Sequence, residues 1–219
     1  MTGTVRSGFD PRLWIVAGPN GCGKSSAYDR SDVDEFGGSV WIINPDLLTV
    51  RIRDTERVPV DRANLLAVQR IEQWLDASLD AYQTIGVETV LSSDKYRRLV
   101  TKAKARGFEV RLIYVYVKSV DLQLERIALR VAKGGHDVPA DKVAARRLRS
   151  FEQAGWFFAE ADAAWVFDNS GAEPKLGGAQ GSRHDPHQFG HARRIVSRAG
   201  AGAGLATSGF RAATLMLAT

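Results

Sequence analysis

The stretch from Ile15 to Ser26, "IVAGPNGCGKSS", decides how the rest of the chain is read. An apolar run breaks into a glycine-rich turn and ends in a lysine and two serines. Gly18 to Ser25 matches G-x-x-x-x-G-K-[ST] at every specified position. Glycines let such a backbone curl with its N–H groups inward, which makes an anion-binding nest at a helix N-terminus. A lysine at this point reaches the β- and γ-phosphates, and the following hydroxyl ligates Mg²⁺. The expected nucleotide-binding residues are therefore Gly18, Pro19, Asn20, Gly21, Cys22, Gly23, Lys24, Ser25 and Ser26. ATP is the expected donor with GTP as its alternative, and Ser25 is the expected metal ligand.

Outward from this loop, the chain alternates between two patterns. Short apolar runs at 12–17, 39–44, 87–92, 108–117 and 163–168 read as strands buried on both faces of a parallel sheet. Between them, 62–86, 94–107, 119–135 and 139–161 carry helical spacing. In the first of these, Val68, Ile71, Leu75, Leu79 and Tyr82 recur on one face, with Gly86 as a stop. Ser119 suits an N-cap, and Pro139 suits a first helical turn. The alternation predicts a three-layer α/β domain of P-loop NTPase type, with a mainly parallel sheet and a helical lid. That domain spans 12–170, after an N-terminal extension at 1–11.

From 171 to 219 neither period is sustained, and nine of the chain's 21 glycines fall there. This segment reads as a low-complexity, disordered tail. Its three histidines, His184, His187 and His191, lack a scaffold and read as an incidental cluster rather than a metal site.

Composition excludes several classes. The chain is 44% hydrophobic and 25% charged over 219 residues, an ordinary globular balance. Its longest apolar runs fall short of the about 20 residues that span a bilayer, so no membrane association is expected. One cysteine, Cys22, allows no internal disulfide and fits a reducing cytoplasm. Of the net charge of +5, the tail supplies +4, with six basic and two acidic residues. A near-neutral body with localised arginines suits a small anionic ligand better than nucleic acid.

Four further features bear on where the phosphate goes. Asp46, in "INPD", lies past the end of the second strand, where a carboxylate could take a proton from an attacking hydroxyl. The plainer reading makes Asn44-Pro45-Asp46 a turn with a helix cap. Glu88 sits among apolar strand residues, costly to bury unless it faces a ligand, with Thr89 and Ser92 as nearby donors. The plainer reading puts it on an edge strand facing water. Arg126, Arg130 and Lys133 share a helical stripe before "GGHDVP", and Arg146, Arg147 and Arg149 follow on the next helix. Two basic helices joined by a Gly-Gly loop read as a lid that brings guanidinium groups to a phosphoryl, or else as a solvated face. Asp168, in "VFDNS", ends an apolar run and is left without a role.

Taken together, "AGPNGCGKSS", "INPD", "VETVLSS", "RVAKGGHDVP" with "ARRLRS", and "VFDNSG" make residues 12–171 resemble the zeta toxin family, P-loop kinases of bacterial toxin–antitoxin systems. The resemblance implies ATP-dependent phosphorylation of a hydroxyl on UDP-N-acetylglucosamine. It makes Asp46 the general base and Lys24, Arg130 and one of Arg146 or Arg147 the catalytic cations. It gives Glu88 to the sugar nucleotide, beside Asp46, Thr89 and Ser92 as the other expected substrate-binding residues, and it implies an antitoxin as a partner protein. Val90 departs from the family pattern, which has threonine there. Two other readings stand beside it: a kinase of another small molecule (a nucleoside, sugar or antibiotic), and a nucleotide-binding switch module that transfers nothing.

Overall fold

The computed structural model describes residues 11–25, 40–135 and 137–181. Ser26 and His136 lie outside the described residues, as do 182–219 with the three tail histidines and all of the N-terminal extension but Pro11.

Six strands form one sheet: β1 Arg12–Ala17, β2 Ile42–Ile43, β3 Ile85–Thr89, β4 Glu109–Tyr116, β5 Ala163–Asp168 and β6 Lys175–Gly181. Their order is β2-β3-β1-β4-β5-β6, parallel except that β6 runs antiparallel to β5. The chain leaves β1 towards one edge, returns through β3, and then crosses to β4 on the other side. The strand order therefore reverses at β1, and ligands of open parallel sheets bind outside the carboxyl ends at such a reversal. The glycine-rich loop leaves β1 at that point.

Five helices are described: α1 Pro45–Glu56, α2 Val60–Asp80, α3 Arg97–Ala105, α4 Val120–Ala132 and α5 Ala140–Glu160. Lys24 and Ser25, which follow the glycine-rich loop, are helical as well. One sheet face, carrying Leu13, Ile15, Leu112 and Tyr114, packs on Ile71, Leu75 and Leu79 of α2, Val100 of α3 and Phe157 of α5. Burying each large apolar side chain contributes about 1.5–3 kcal/mol, so this layer dominates the fold's stability. The opposite face carries Trp14, Ile113, Val115, Trp165 and Phe167, with Cys22 of the loop packed against them. The Trp14 and Trp165 rings stack there at 5.7 Å. Among the described residues no helix is long and apolar enough to cross a membrane.

Three expectations need correction. Helix α2 ends at Asp80, and Gly86 lies inside β3 rather than stopping the helix. The chain turns instead at Tyr82, whose φ is 54°. Gly86 is needed for packing, because a Cβ there would come within 2.4 Å of Ile42 Cδ1. Second, the helical patterns begin only at 62, whereas residues 45–56 already form a full helix whose apolar signal is weak because only Ile52 is buried. Third, 171–219 does not begin as a structureless tail, since Lys175–Gly181 pairs with β5 across a register shift at Val166/Phe167. An antiparallel ladder uses backbone groups that every residue but proline carries, so a glycine-rich segment can join it.

Candidate functional site

The loop after β1 takes the backbone form its glycines allow. Gly21 and Gly23 have φ of 74° and 79°, a region that side-chain-bearing residues rarely enter. Both are also closely approached: a Cβ on Gly21 would meet the Gln123 carbonyl oxygen at 2.5 Å, and one on Gly23 would meet Asn169 Nδ2 at 2.5 Å. Three bonds fix the loop's carbonyls. Gln123 Nε2 donates to Asn20 O (2.7 Å), Asn169 Nδ2 to Cys22 O (2.8 Å), and Lys24 Nζ to Gly18 O (3.0 Å). The Gly18 amide donates to Thr89 O at 3.2 Å, which ties the loop to the end of β3. With its carbonyls held by the scaffold, such a loop presents its amides as an anion nest.

Beside it stands Glu88, the penultimate residue of β3. Strand β3 lies between β2 and β1, so the edge-strand reading of Glu88 fails. Its carboxylate is 9% exposed and faces the loop. Oε2 accepts from Ser25 Oγ (3.0 Å) and from Asn44 Nδ2 (3.2 Å), and Oε1 lies 3.9 Å from Lys24 Nζ. Asn44 in turn caps α1, its Oδ1 accepting from the amides of Asp46 (2.9 Å) and Leu47 (3.2 Å). The capping expectation therefore holds for Asn44, and Asp46 sits exposed in the first turn of the helix. Lys24, Ser25, Glu88, Asn44 and Asp46 thus form one connected group at the carboxyl end of the sheet.

Ser25 and Glu88 offer a hydroxyl and a carboxylate 3.0 Å apart. These hard oxygen donors suit magnesium, which takes one or two carboxylates plus phosphate oxygens and water rather than an all-protein cage. Thr89 and Ser92 are placed differently. The Thr89 hydroxyl accepts from Leu91 N at 3.0 Å and so shapes its own loop, where Leu91 has φ of 58°. Ser92 has no side-chain hydrogen bond among the described residues.

The basic residues divide into two groups. Arg126, Leu129, Arg130, Lys133 and Gly135 line an open groove along α4 and the turn after it. Arg126 approaches the loop, with Nη1 3.7 Å from where a Cβ on Gly23 would stand. Arg130, one helical turn on, packs its stem against Gly135, leaving no room there for a Cβ, which would meet Arg130 Cγ at 2.6 Å. On α5 the half-buried Arg146 has no hydrogen bond or ion pair among the described residues. Arg147, by contrast, donates to Val117 O (2.8 Å), Lys118 O (3.1 Å) and Gln123 Oε1 (3.1 Å), and lies over the Phe151 ring.

Burial pushes the Cys22 thiol up, with Lys24 and Arg126 opposing it, so Cys22 behaves as a packing residue of the loop. For Asp168, burial works against ionisation, but the Ser170 hydroxyl and amide and the Lys118 ammonium outweigh it and hold the carboxyl below its usual range. Its neighbour Asn169, unassigned in the sequence, is one of the loop's braces. Asn44, Gln123 and Asn169 were all missed as site residues. An uncharged amide carries no sequence signal of a partner, and Asn169 meets Cys22 across 147 residues.

The profile of the AAA_33 family, an AAA domain, matches residues 13–153. A sequence search of the curated proteins finds no match. Among solved structures, a chain of the PezAT chromosomal toxin–antitoxin system of the human pathogen Streptococcus pneumoniae is similar in fold. Its TM-score is 0.58 at 14% identity, over 97% of this chain and 88% of that one. The complex of AvrRxo1-ORF1 with ORF2, solved with ATP, is similar at a TM-score of 0.62 and 16% identity, over 90% of this chain and 67% of that one. The same complex with sulphate ions gives 0.63 and 17% over 91% and 67%.

Proposed function

The chain belongs to the AAA_33 family of AAA domains, and from that premise we propose that it is an ATP-dependent phosphotransferase of zeta toxin type acting on the hydroxyl of a small molecule. One observation carries the reading: the loop lysine, the Ser25–Glu88 pair and the Asn44-capped turn bearing Asp46 are joined by consecutive contacts. That arrangement supports donor and acceptor meeting at the carboxyl ends of β1 and β3. Its P-loop kinase fold is shared with a toxin–antitoxin protein and with a chain solved alongside ATP.

In the proposed reaction the loop amides and Lys24 hold the triphosphate. Asp46 accepts the proton of the acceptor hydroxyl, whose oxygen bonds to the γ-phosphorus. The bond from that phosphorus to the β–γ bridging oxygen breaks, and ADP leaves. Arg130, with Arg146 from α5, offsets charge on the phosphoryl in transit. Magnesium, held by Ser25 with Glu88, supplies neutralisation of the β- and γ-oxygens when bound. The zeta resemblance gives Glu88 to the acceptor instead. Glu88→Gln separates the two: a raised magnesium requirement supports the metal side, and a raised acceptor KM the substrate side.

The proposed acceptor is UDP-N-acetylglucosamine, and the proposed partner an antitoxin that covers the crevice. The test is mass spectrometry of products after incubation with ATP, Mg²⁺ and UDP-N-acetylglucosamine, then with a pool of bacterial metabolites. A phosphorylated sugar nucleotide, lost in Asp46→Asn, is expected. Product from another metabolite alone would replace the acceptor, and nucleotide binding without any transfer would leave a switch module.

A further inference from the structure

Arg147 stands in a pair of arginines from which a phosphate contact is expected, yet its guanidinium is already engaged. It donates to two backbone carbonyls just past β4, Val117 O and Lys118 O, and to Gln123 Oε1. Gln123 is 0% exposed, so its amide cannot turn to water for a partner. Each end of that amide is used: Oε1 accepts from Arg147 at 3.1 Å, and Nε2 donates to Asn20 O at 2.7 Å. An amide reads the same shape in either orientation, and its two ends differ only in chemistry. Arg147 can only donate, so it forces Oε1 towards itself and Nε2 towards the loop. Turned the other way, two oxygens would face each other at Asn20 and two sets of N–H groups would face each other at Arg147.

We propose that Arg147 is a positioning residue for the phosphate cradle: by orienting the Gln123 amide it holds the Asn20 carbonyl outward, so that the loop's amides stay aimed at the donor nucleotide. The backbone reinforces the same contact. Gly21 lies so close to Gln123 O that a Cβ would stand 2.5 Å from it. The start of α4 and the loop are therefore fitted to each other, and Arg147 brings a third element, α5, to that junction. Burial lowers the pKa of Arg147, with Tyr114 and Cys22 opposing, which fits a half-buried group held by carbonyls. This inference rests on the nucleotide reading of the loop. It moves Arg147 from the catalytic role the resemblance offers to one exerted through Gln123.

The experiment measures binding of fluorescent N-methylanthraniloyl-ADP with Mg²⁺, beside the melting temperature of the nucleotide-free protein. Gln123→Glu keeps the partner of Arg147 but sets a carboxylate oxygen against Asn20 O. It is expected to weaken ADP binding by roughly tenfold or more while the melting temperature stays within a few degrees of wild type. Arg147→Lys keeps the charge but loses the planar fork, and an equal loss is expected; a cation acting directly on phosphate would retain much of its effect as lysine. Ser150→Ala, which loosens α5 elsewhere, should lower the melting temperature and leave ADP binding alone. If Gln123→Glu does not fold, Arg147→Lys decides the matter alone. Affinity within twofold of wild type in a folded Gln123→Glu or Arg147→Lys protein overturns the assignment. Failure of the wild type to bind ADP overturns this inference and the proposed function together.

Discussion

On the proposed donor side of the crevice the loop carbonyls of Gly18, Asn20 and Cys22 each have a fixed partner, in Lys24, Gln123 and Asn169. On the acceptor side Asp46 projects exposed from the first turn of α1, secured through its amide to Asn44, while Arg126, Arg130 and Lys133 line an open groove on α4. The first region is braced by the fold; the second presents charge on helix surfaces. The difference suits the proposed phosphoryl transfer. A polyanion is bound best by dipoles that need no rearrangement, whereas the groups acting on the phosphoryl and the attacking oxygen engage once both substrates are present.

The contrast breaks most visibly at the α4 groove. Arg130→Ala is expected to cut kcat by about 10³–10⁵, the usual value of an arginine on a transferring phosphoryl. The same variant should bind ADP as wild type does, because no brace of the loop is touched. An equal loss of ADP affinity would merge the two regions into one. Next comes Asp46→Asn, for which removal of the proposed general base predicts a fall of about 10²–10⁴ in kcat. Acceptor and donor affinities should hold, since the Asn44 cap contacts the backbone of residue 46 rather than its carboxylate. Steady-state kinetics with both substrates varied reads both outcomes.

The donor side was largely legible in the sequence, and the reason is local. Four consecutive elements of the motif (strand, glycine turn, lysine, hydroxyl) specify backbone shape within a dozen residues, so β1 at Arg12–Ala17 and the turn after it follow from composition alone. Glu88 was legible for another reason, because a carboxylate inside an apolar strand must have a partner. Its partners, Ser25 and Asn44, lie 63 and 44 residues away and carry no such mark. Gly86 shows how a local rule misleads: glycine often stops a helix, but here its missing side chain serves the contact between β2 and β3. Strand β6 was invisible because its pairing is by backbone, and its side chains, in "KLGGAQG", show no alternation.

A smaller effect tests how the acceptor side is tied to the fold. Ser150 of α5 donates to Val90 O at 2.7 Å, just past β3, and shares a hydrogen bond of 2.9 Å with the Tyr114 hydroxyl. Burial pushes the Tyr114 phenol well above its usual range, against the effect of Ser150. Ser150→Ala leaves a partly buried carbonyl and a buried phenol short of a partner, a cost of about 1–3 kcal/mol. Denaturant titration should show that loss as a lower midpoint with an unchanged slope. A change below a few tenths of a kcal/mol would mean that the loop after β3 is held by its own Thr89–Leu91 turn.

The smallest effect lies at the outer brace of the donor side. Asp168 accepts from Ser170 N at 2.9 Å and from the Ser170 hydroxyl, while Ser170 Oγ accepts from Lys118 N at 2.9 Å. These bonds shape the turn that carries Asn169 to the loop. Because the folded state holds the Asp168 carboxyl below its usual value, the unfolded chain binds the proton more readily. The resulting stabilisation is complete above the unfolded pKa of about 3.9 and is lost as pH falls through the lower folded value. Stability measured from pH 7 downward should therefore fall less steeply below about pH 4 in Asp168→Asn than in wild type. Lys118 is 75% exposed, so its share of the effect should fade in salt while the Ser170 share persists. Identical profiles for the two proteins would mean that the Asn169 brace stands without its neighbour's charge.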